Sequence, residues 1–133
     1  MHVILTAEET RVLGALVEKS VTTPEHYPLT LNALIAACNQ KSNRNPVVQY
    51  DGRTVGAALD GLRDKGLTRV IMGGDSRVPK YQHYFEEAFE ATALETALLD
   101  ELMLRGPQTP GELRGRIERF GLEASIPEIE HAL

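Results

Sequence analysis

The sequence predicts an α+β protein in which helices predominate. Apolar residues recur at helical spacing in three successive segments, and a stretch rich in strand-forming residues follows, broken by a Gly-Gly-Asp-Ser turn. The pattern of the first helix then returns 86 positions later. With 133 residues, of which 42% are hydrophobic, the chain has room for one ordinary domain or two very small ones.

The first predicted helix begins after Thr6, which stands three residues before Glu9 in the spacing of a capping box. Its apolar stripe consists of Val12, Leu13, Leu16 and Val17. The residues assigned to its solvent side are Glu8, Arg11 and Glu18.

Two further helices are predicted by caps and periodicity. Thr30 precedes the second helix, and Asp51 and Gly66 bound the third. The apolar positions are Leu31, Leu34, Ile35 and Cys38 in the second helix and Val55, Ala58, Leu59 and Leu62 in the third. Cys38 is the single cysteine, which excludes an intrachain disulfide. The lack of an intrachain disulfide, of a signal sequence and of a long apolar run predicts a soluble, cytoplasmic protein with no membrane partner.

A β-hairpin is predicted next, from LTRVIM and RVPKYQHYF on either side of the turn. Pro79 lacks an amide donor and favours an edge position. The segment FEEAFEA, residues 85 to 91, is predicted to be a connection or a helical lead-in.

The chain contains an internal repeat. At an offset of 86, Thr6, Glu9, Leu13 and Leu16 fall on Thr92, Glu95, Leu99 and Leu102, and Thr23-Pro24 falls on Thr109-Pro110. After a short deletion, Leu31, Ile35, Val55, Ala58 and Leu59 match Leu113, Ile117, Ile129, Ala132 and Leu133. We therefore predict one complete unit over residues 1–86 and an incomplete second copy over residues 87–133, which stops before its hairpin.

Three helices followed by a hairpin is the element order of a winged helix, in which the third helix docks and the hairpin is the wing. The string EKSVTTPEHYPLTLNALIAACNQKSNRNPVVQYD resembles the bacterial YceH-like family, also called UPF0502. The resemblance extends through Val55, Ala58 and Leu59 to the Arg77-Val78 and Lys80-Tyr81 pairs. It implies tandem winged-helix domains and assigns no functional residue.

Positive charge is concentrated in one part of the sequence. Residues 39–83 contain eight Lys and Arg against four Asp, a surplus of four, although the whole chain has a net charge of -5. This asymmetry predicts one basic face. By analogy with the winged-helix fold, we expect this face to bind double-stranded DNA and the protein to regulate transcription. The contact candidates are Lys41 and Arg44 before the third helix, Arg53 within it, and Arg69, Arg77, Lys80 and His83 in the wing. Asp60 and Asp64 on the third helix oppose this hypothesis.

The loop NQKSNRNPVVQYD, residues 39–51, also has a purely structural interpretation. Its three asparagines suit turns, Pro46 ends any preceding helix, and Val47-Val48 would form a third strand beside the wing.

Catalysis is not expected, because the four histidines are scattered and no metal-ligand spacing, phosphate loop or nucleophile elbow is present. We predict neither a metal nor a cofactor, and we assign His26 to fixing its loop by a hydrogen bond. The alternative function is a protein-interaction adaptor that forms a homodimer. Leu98, Met103 and Leu104 would then serve contacts between chains, or between the two repeats.

Overall fold

The computed structural model of the chain describes residues 3–73 and 76–133, with the side chains of Ser76 and Arg77 outside the described part. This part is α+β, with helices predominating as predicted. The α-helices are α1 (Ala7–Thr22), α2 (Leu31–Cys38), α3 (Gly52–Asp64), α4 (Phe85–Phe89), α5 (Ala93–Arg105), α6 (Pro110–Arg116) and α7 (Ile126–Ala132). The strands are β1 (Leu29–Thr30), β2 (Thr68–Gly73) and β3 (Ser76–His83), and 3-10 turns span Pro24–His26 and Ile117–Phe120.

The helices begin where the caps predict. The Glu9 amide donates to Thr6 Oγ1 at 3.0 Å, and the Thr6 amide donates to Glu9 Oε1 at 2.9 Å, which completes the capping box of α1. Thr92 and Glu95 form the same box at the start of α5. Thr30 and Asp51 cap α2 and α3 as expected. These side chains satisfy amides that would otherwise lack a partner in the first turn of each helix.

The sheet confirms the predicted hairpin and corrects its third strand. Its strand order within the described residues is β1-β3-β2, and both pairings are antiparallel. The prediction that Val47-Val48 forms the third strand is wrong, because Leu29-Thr30 pairs with Tyr81 and Lys80 of β3. Leu29 is buried there, whereas Val47 is 51% exposed.

Pro79 lies in β3, the middle strand, and not at an edge. The middle position tolerates this proline because β1 contributes only two residues, and its pairing with β3 ends at Lys80. A register irregularity between Ile71 and Gly73 of β2 lies opposite the same stretch of β3.

Two hydrophobic cores divide the buried side chains. The first joins α1, α2 and α3 with Leu29, Leu67 and Phe85. The second consists of Ala97, Leu98, Leu113, Ile117, Phe120 and Ile129. Leu113, Ile117 and Ile129, which the repeat matches to apolar positions of the first unit, are buried, whereas Leu133, which it matches to buried Leu59, is 57% exposed. Leu99 is 40% exposed, so its place in the predicted Leu99–Leu102 stripe is wrong, whereas Leu102 packs against the second core. Leu98 and Leu104 of α5 are fully buried.

The two cores meet where α5 packs on α1. A Cβ atom at Gly14 would lie 2.9 Å from Leu104 Cδ2 and 3.3 Å from Asp100 Oδ1, so the missing side chain at this position allows the close approach of these helices. The Asn45 amide donates to the Leu104 carbonyl at 3.0 Å, which ties the loop of residues 39–51 to the end of α5.

None of the helices over residues 3–73 and 76–133 combines the length and the apolar character that a bilayer crossing requires.

Candidate functional site

The loop of residues 39–51 is folded by its own side chains. The Asn39 side chain donates to the Tyr50 carbonyl at 2.9 Å and accepts from the Tyr50 amide at 2.7 Å, as a strand partner would. Asn43 adopts a φ of 59°, a left-handed conformation that asparagine tolerates better than most residues. The structural interpretation of these asparagines therefore holds.

Arg44 is not a surface cation. Its side chain is fully buried, and it donates to both oxygens of Glu18, at 2.9 Å from Nη1 to Oε2 and 2.6 Å from Nη2 to Oε1. It also donates to the Ala37 carbonyl from Nε at 3.2 Å and from Nη2 at 2.9 Å. The prediction that Arg44 contacts nucleic acid is therefore wrong, because every one of these bonds turns the guanidinium inward.

Arg11 is a second inward-facing cation, although the sequence placed it on the solvent side. It donates to the Cys38 carbonyl at 3.0 Å and to the Pro46 carbonyl at 2.6 Å. Arg11 and Arg44 together satisfy carbonyls at the C-terminus of α2, where cations are favourable. Burial raises the pKa of the neighbouring Cys38 thiol to about 12.

Glu18 is the centre of a charged junction between the two cores, and its predicted position on the solvent side is wrong. Besides Arg44 of the first core, Arg119 of the second core donates to Glu18. Burial opposes ionisation of Glu18, but the bonds from Arg44 and Arg119 outweigh burial and lower the Glu18 pKa to about 2.

The junction continues along α5. Arg119 Nε donates to Glu101 Oε1 at 2.8 Å, and Arg105 Nε lies 3.3 Å from Glu101 Oε2. Arg105 also donates to the Asn43 side chain, so the loop of residues 39–51 is held against α5. These contacts place part of the predicted basic loop inside the molecule. Lys41 is the cation of this loop that remains exposed.

Asp100 lies within the same junction and is fully buried. Among the described residues, neither of its carboxyl oxygens has a hydrogen-bond partner. Burial, reinforced by the charge of Glu18, raises the Asp100 pKa well above its ordinary value. A buried acid without a donor is expected to stay protonated.

The outer face of α3 is open. Arg53, Ala57 and Asp60 are exposed, and a Cβ atom at Gly56 would meet nothing within 4 Å. Arg63, which the sequence hypothesis did not include, lies 3.6 Å from Asp60 in an exposed ion pair. This face borders a groove whose other wall is formed by Val70 and Tyr81 of the hairpin.

The hairpin carries both cations and apolar side chains. Arg69 is exposed, with its guanidinium carbon 5.4 Å from the centre of the Tyr84 ring, and Lys80 is half-buried. Arg77 belongs to β3, but its side chain lies outside the described part of the chain. Val70, Met72 and Val78 are 37%, 61% and 53% exposed. The surface of the hairpin is therefore mixed rather than uniformly basic.

The histidine predictions need correction. His83 is not available to a phosphate, because its Nε2 lies 3.1 Å from Ser20 Oγ, its Nδ1 accepts from the Phe85 amide at 3.0 Å, and burial lowers its pKa. His26 is exposed and lies 3.9 Å from Glu25. Tyr27 holds the loop instead, since its hydroxyl accepts from the His83 amide at 2.7 Å.

The junction residues Asp100, Glu101 and Arg119 were not predicted from the sequence. The available signal was the spacing of Glu101, which stands three or four residues from Ala97, Leu98 and Leu104 and so shares their buried face. Across residues 3–73 and 76–133, no group of three or more His, Cys, Asp and Glu side chains is placed to hold a metal ion.

The chain is similar to a set of bacterial proteins over nearly its whole length. A family model described as "Protein of unknown function, DUF480" matches residues 5–133. A UPF0502 protein of Opitutus terrae is 57% identical over 130 residues, which cover 98% of this chain and 56% of the relative. UPF0502 proteins of Koribacter versatilis and Solibacter usitatus are 53% and 55% identical, and each match covers 62% of the relative. This chain therefore spans about three fifths of the length of these relatives, and it belongs to the UPF0502 (DUF480) family.

Proposed function

We propose that the chain is a tandem winged-helix protein that binds double-stranded DNA through its first unit and regulates transcription. Residues 1–86 form the complete unit, and residues 87–133 belong to the second copy. The order of α1, α2, α3, β2 and β3 supports a winged helix, with β1 as the short strand that completes the sheet. The protein acts by binding and not by catalysis.

The packing of α1 on α5 supports the tandem arrangement. The repeat offset of 86 carries Gly14 onto Asp100, and these two positions lie against each other across the helix contact. Contact between equivalent positions is expected when two copies pack about a local two-fold axis.

The observation that carries the DNA proposal is the open N-terminal half of α3. Arg53 is exposed beside the small residues Gly56 and Ala57, so the helix can approach a groove closely while its guanidinium reaches a guanine edge or a phosphate. The proposed phosphate contacts are Lys41, which precedes this helix in the chain, and Arg69 and Lys80 of the hairpin. Arg77 is added on the sequence alone. The junction with α5 occupies α1 and leaves this face free.

The test is fluorescence anisotropy of a labelled random-sequence duplex over a salt series, with the Arg53→Glu and Arg69→Glu variants. Each variant should bind about tenfold more weakly and reduce the slope of log affinity against log salt by about 1. Arg114→Glu is the matched control, because Arg114 is an exposed cation on α6, away from α3 and the hairpin. It should leave affinity nearly unchanged.

Two results would reject the DNA proposal: no binding at about 50 mM salt, or an equal loss of affinity in the Arg114→Glu control. The latter would mean that the duplex responds to net charge rather than to this face.

A second function, that of a homodimeric protein adaptor, is favoured by the exposed apolar side chains of the hairpin. Met72 is 61% exposed on β2, and β2 is at an edge of the sheet, where unpaired backbone groups can accept another strand. Sedimentation equilibrium should then show a dimer that Met72→Lys dissociates. Arg53→Glu should leave the dimer intact, which separates this function from DNA binding.

A further inference from the structure

Asp100 is unusual among the acidic groups of the junction. Glu18 and Glu101 each receive guanidinium donors, whereas Asp100 has none among the described residues. Its Oδ1 atom faces Gly14 of α1 across a gap that an added methyl group would reduce to 3.3 Å. The helices are therefore too close at this point to admit water to the carboxylate. Hydrating it would require α1 and α5 to separate, which would break the contact of Leu104 with Gly14.

The charged groups around Asp100 come from every element packed against it. They are Glu18 of α1, Arg44 of the loop, Glu101 of α5 and Arg119 of the 3-10 turn Ile117–Phe120. The two guanidinium groups are already committed to Glu18 and Glu101 by short hydrogen bonds. A negative charge on Asp100 would thus be the third carboxylate beside two guanidinium groups, and of the hydrogen-bonding nitrogens of these two groups Arg119 Nη2 is buried without a partner among the described residues.

We propose that protonated Asp100 holds α5 against α1 and that its ionisation opens the junction between the two cores as the pH rises. Ionisation releases one proton to solvent and leaves a buried carboxylate beside Glu18 and Glu101. The lowest-energy response is separation of the helices, which hydrates the new charge and breaks the packing of Leu104 on Gly14. The device does not depend on what the first unit binds.

The direction of the pH effect follows from the raised pKa. In the unfolded chain, Asp ionises near its ordinary pKa of about 3.9. Because the folded pKa is higher, the folded state holds the proton more tightly, and this stabilisation is complete below about pH 3.9. It is lost as the pH rises through the folded pKa of Asp100. Glu18 acts in the opposite direction, so the two groups affect different ends of the pH range.

Hydrogen exchange tests this proposal on the intact chain. Protection factors, which are corrected for the intrinsic pH dependence of exchange, are measured for amides of α5 and of α3 over a pH series. In the wild type, α5 protection should fall by up to about tenfold per pH unit while Asp100 titrates, whereas α3 protection should not follow this fall. Asp100→Asn, which has nearly the same shape and no charge, should keep α5 protected throughout.

Asp64→Asn is the matched control, since Asp64 is an exposed aspartate on α3. It should show the wild-type profile. A parallel fall of α5 protection in wild type and Asp100→Asn would overturn the proposal.

The protonation state is measured separately by the carbon-13 chemical shift of the Asp100 carboxyl group in the wild type. This readout is independent of whether Asp100→Asn folds. A carboxyl that is already ionised at pH 5 would reject the proposal, as would α5 protection that stays constant while the carboxyl titrates. A titration that coincides with the fall of α5 protection would support it.

Discussion

Glu18 accepts hydrogen bonds from two guanidinium groups that come from different parts of the fold, Arg44 from the loop of residues 39–51 and Arg119 from the second core. Removing a carboxylate such as that of Glu18 from water costs several kcal/mol. Its guanidinium partners offset this cost only when both carboxylate oxygens accept hydrogen bonds. Here both do. Loss of one guanidinium partner should consequently lower the free energy of unfolding by more than the intact ion pair contributes to it.

We expect Arg44→Met to lower the free energy of unfolding by about 3 kcal/mol, because Glu18 and the Ala37 carbonyl lose donors in a buried site. Urea unfolding at neutral pH measures the change. Lys41→Met is the control three residues earlier, and its exposed side chain should leave the free energy within about 0.5 kcal/mol of wild type. Equal effects of the two substitutions would contradict burial of Arg44.

Acid should destabilise the protein through Glu18. Its folded pKa of about 2 lies below the unfolded value, so the stabilisation is present above about pH 4.3 and is lost as the pH falls toward 2. Glu18→Gln should therefore flatten the decline seen by circular dichroism between these pH values. Glu118→Gln, at an exposed carboxylate, should keep the wild-type decline. If both variants behave alike, Glu18 is not the group responsible.

These charged residues also show where sequence reasoning stops at the scale of single residues. Lys41 and Arg44 occur in one short polar loop, and composition assigns them the same role. Lys41 is exposed, whereas Arg44 is buried because carbonyls of α2 and the carboxylate of Glu18 converge on it. Glu18 is 26 positions away in the sequence, and no local pattern reveals that partner.

At the scale of elements, the contact of α1 with α5 depends on one missing side chain. Gly14→Ala places a methyl group within 3.1 Å of both Leu104 Cγ and Leu104 Cδ2. We expect it to destabilise the protein by about 1–3 kcal/mol through overpacking, despite the better helix propensity of alanine.

Gly56→Ala is the matched substitution in α3. Its methyl group would enter open space, so helix propensity alone should act and stabilise the protein by about 0.5–1 kcal/mol. Chemical denaturation of the two variants should thus give changes of opposite sign. A stabilising Gly14→Ala would show that α5 is not packed closely on α1.

The elements themselves were largely predictable because their signals are local. Thr6, Thr30, Asp51 and Thr92 cap helices where their sequence contexts indicate. β1 was not found, because a two-residue strand has no periodicity of its own and exists only through its pairing with β3, some 50 residues later. The hairpin, in contrast, pairs across a short turn and was correctly located.

At the scale of the whole molecule, the two cores are joined by shared charged groups as well as by the packing of Leu104 on Gly14. Glu18 belongs to α1 of the first core, yet it shares Arg119 with Glu101 of the second. Because the carboxylate is common to both sides, disturbance of one core changes the electrostatics of the other. The two are expected to unfold together.

A double-mutant cycle of Arg44→Met and Arg119→Met measures this link. Either single variant leaves Glu18 with one guanidinium, whereas the double variant leaves none. The loss of unfolding free energy should then exceed the sum of the single losses by about 1 kcal/mol. Additivity within about 0.5 kcal/mol would mean that the cores are coupled by other contacts.

The close approach of α1 and α5 also restricts how this sequence can change over generations. A Cβ atom at position 14 would lie 2.9 Å from Leu104 Cδ2 and 3.3 Å from Asp100 Oδ1, so Leu104 must shift or be replaced by a smaller residue. Substitutions at positions 14, 100 and 104 are thus not independent, and an acceptable exchange at one requires a compensating exchange at another. Relatives that carry a larger residue at position 14 should be those that carry a smaller residue at position 104.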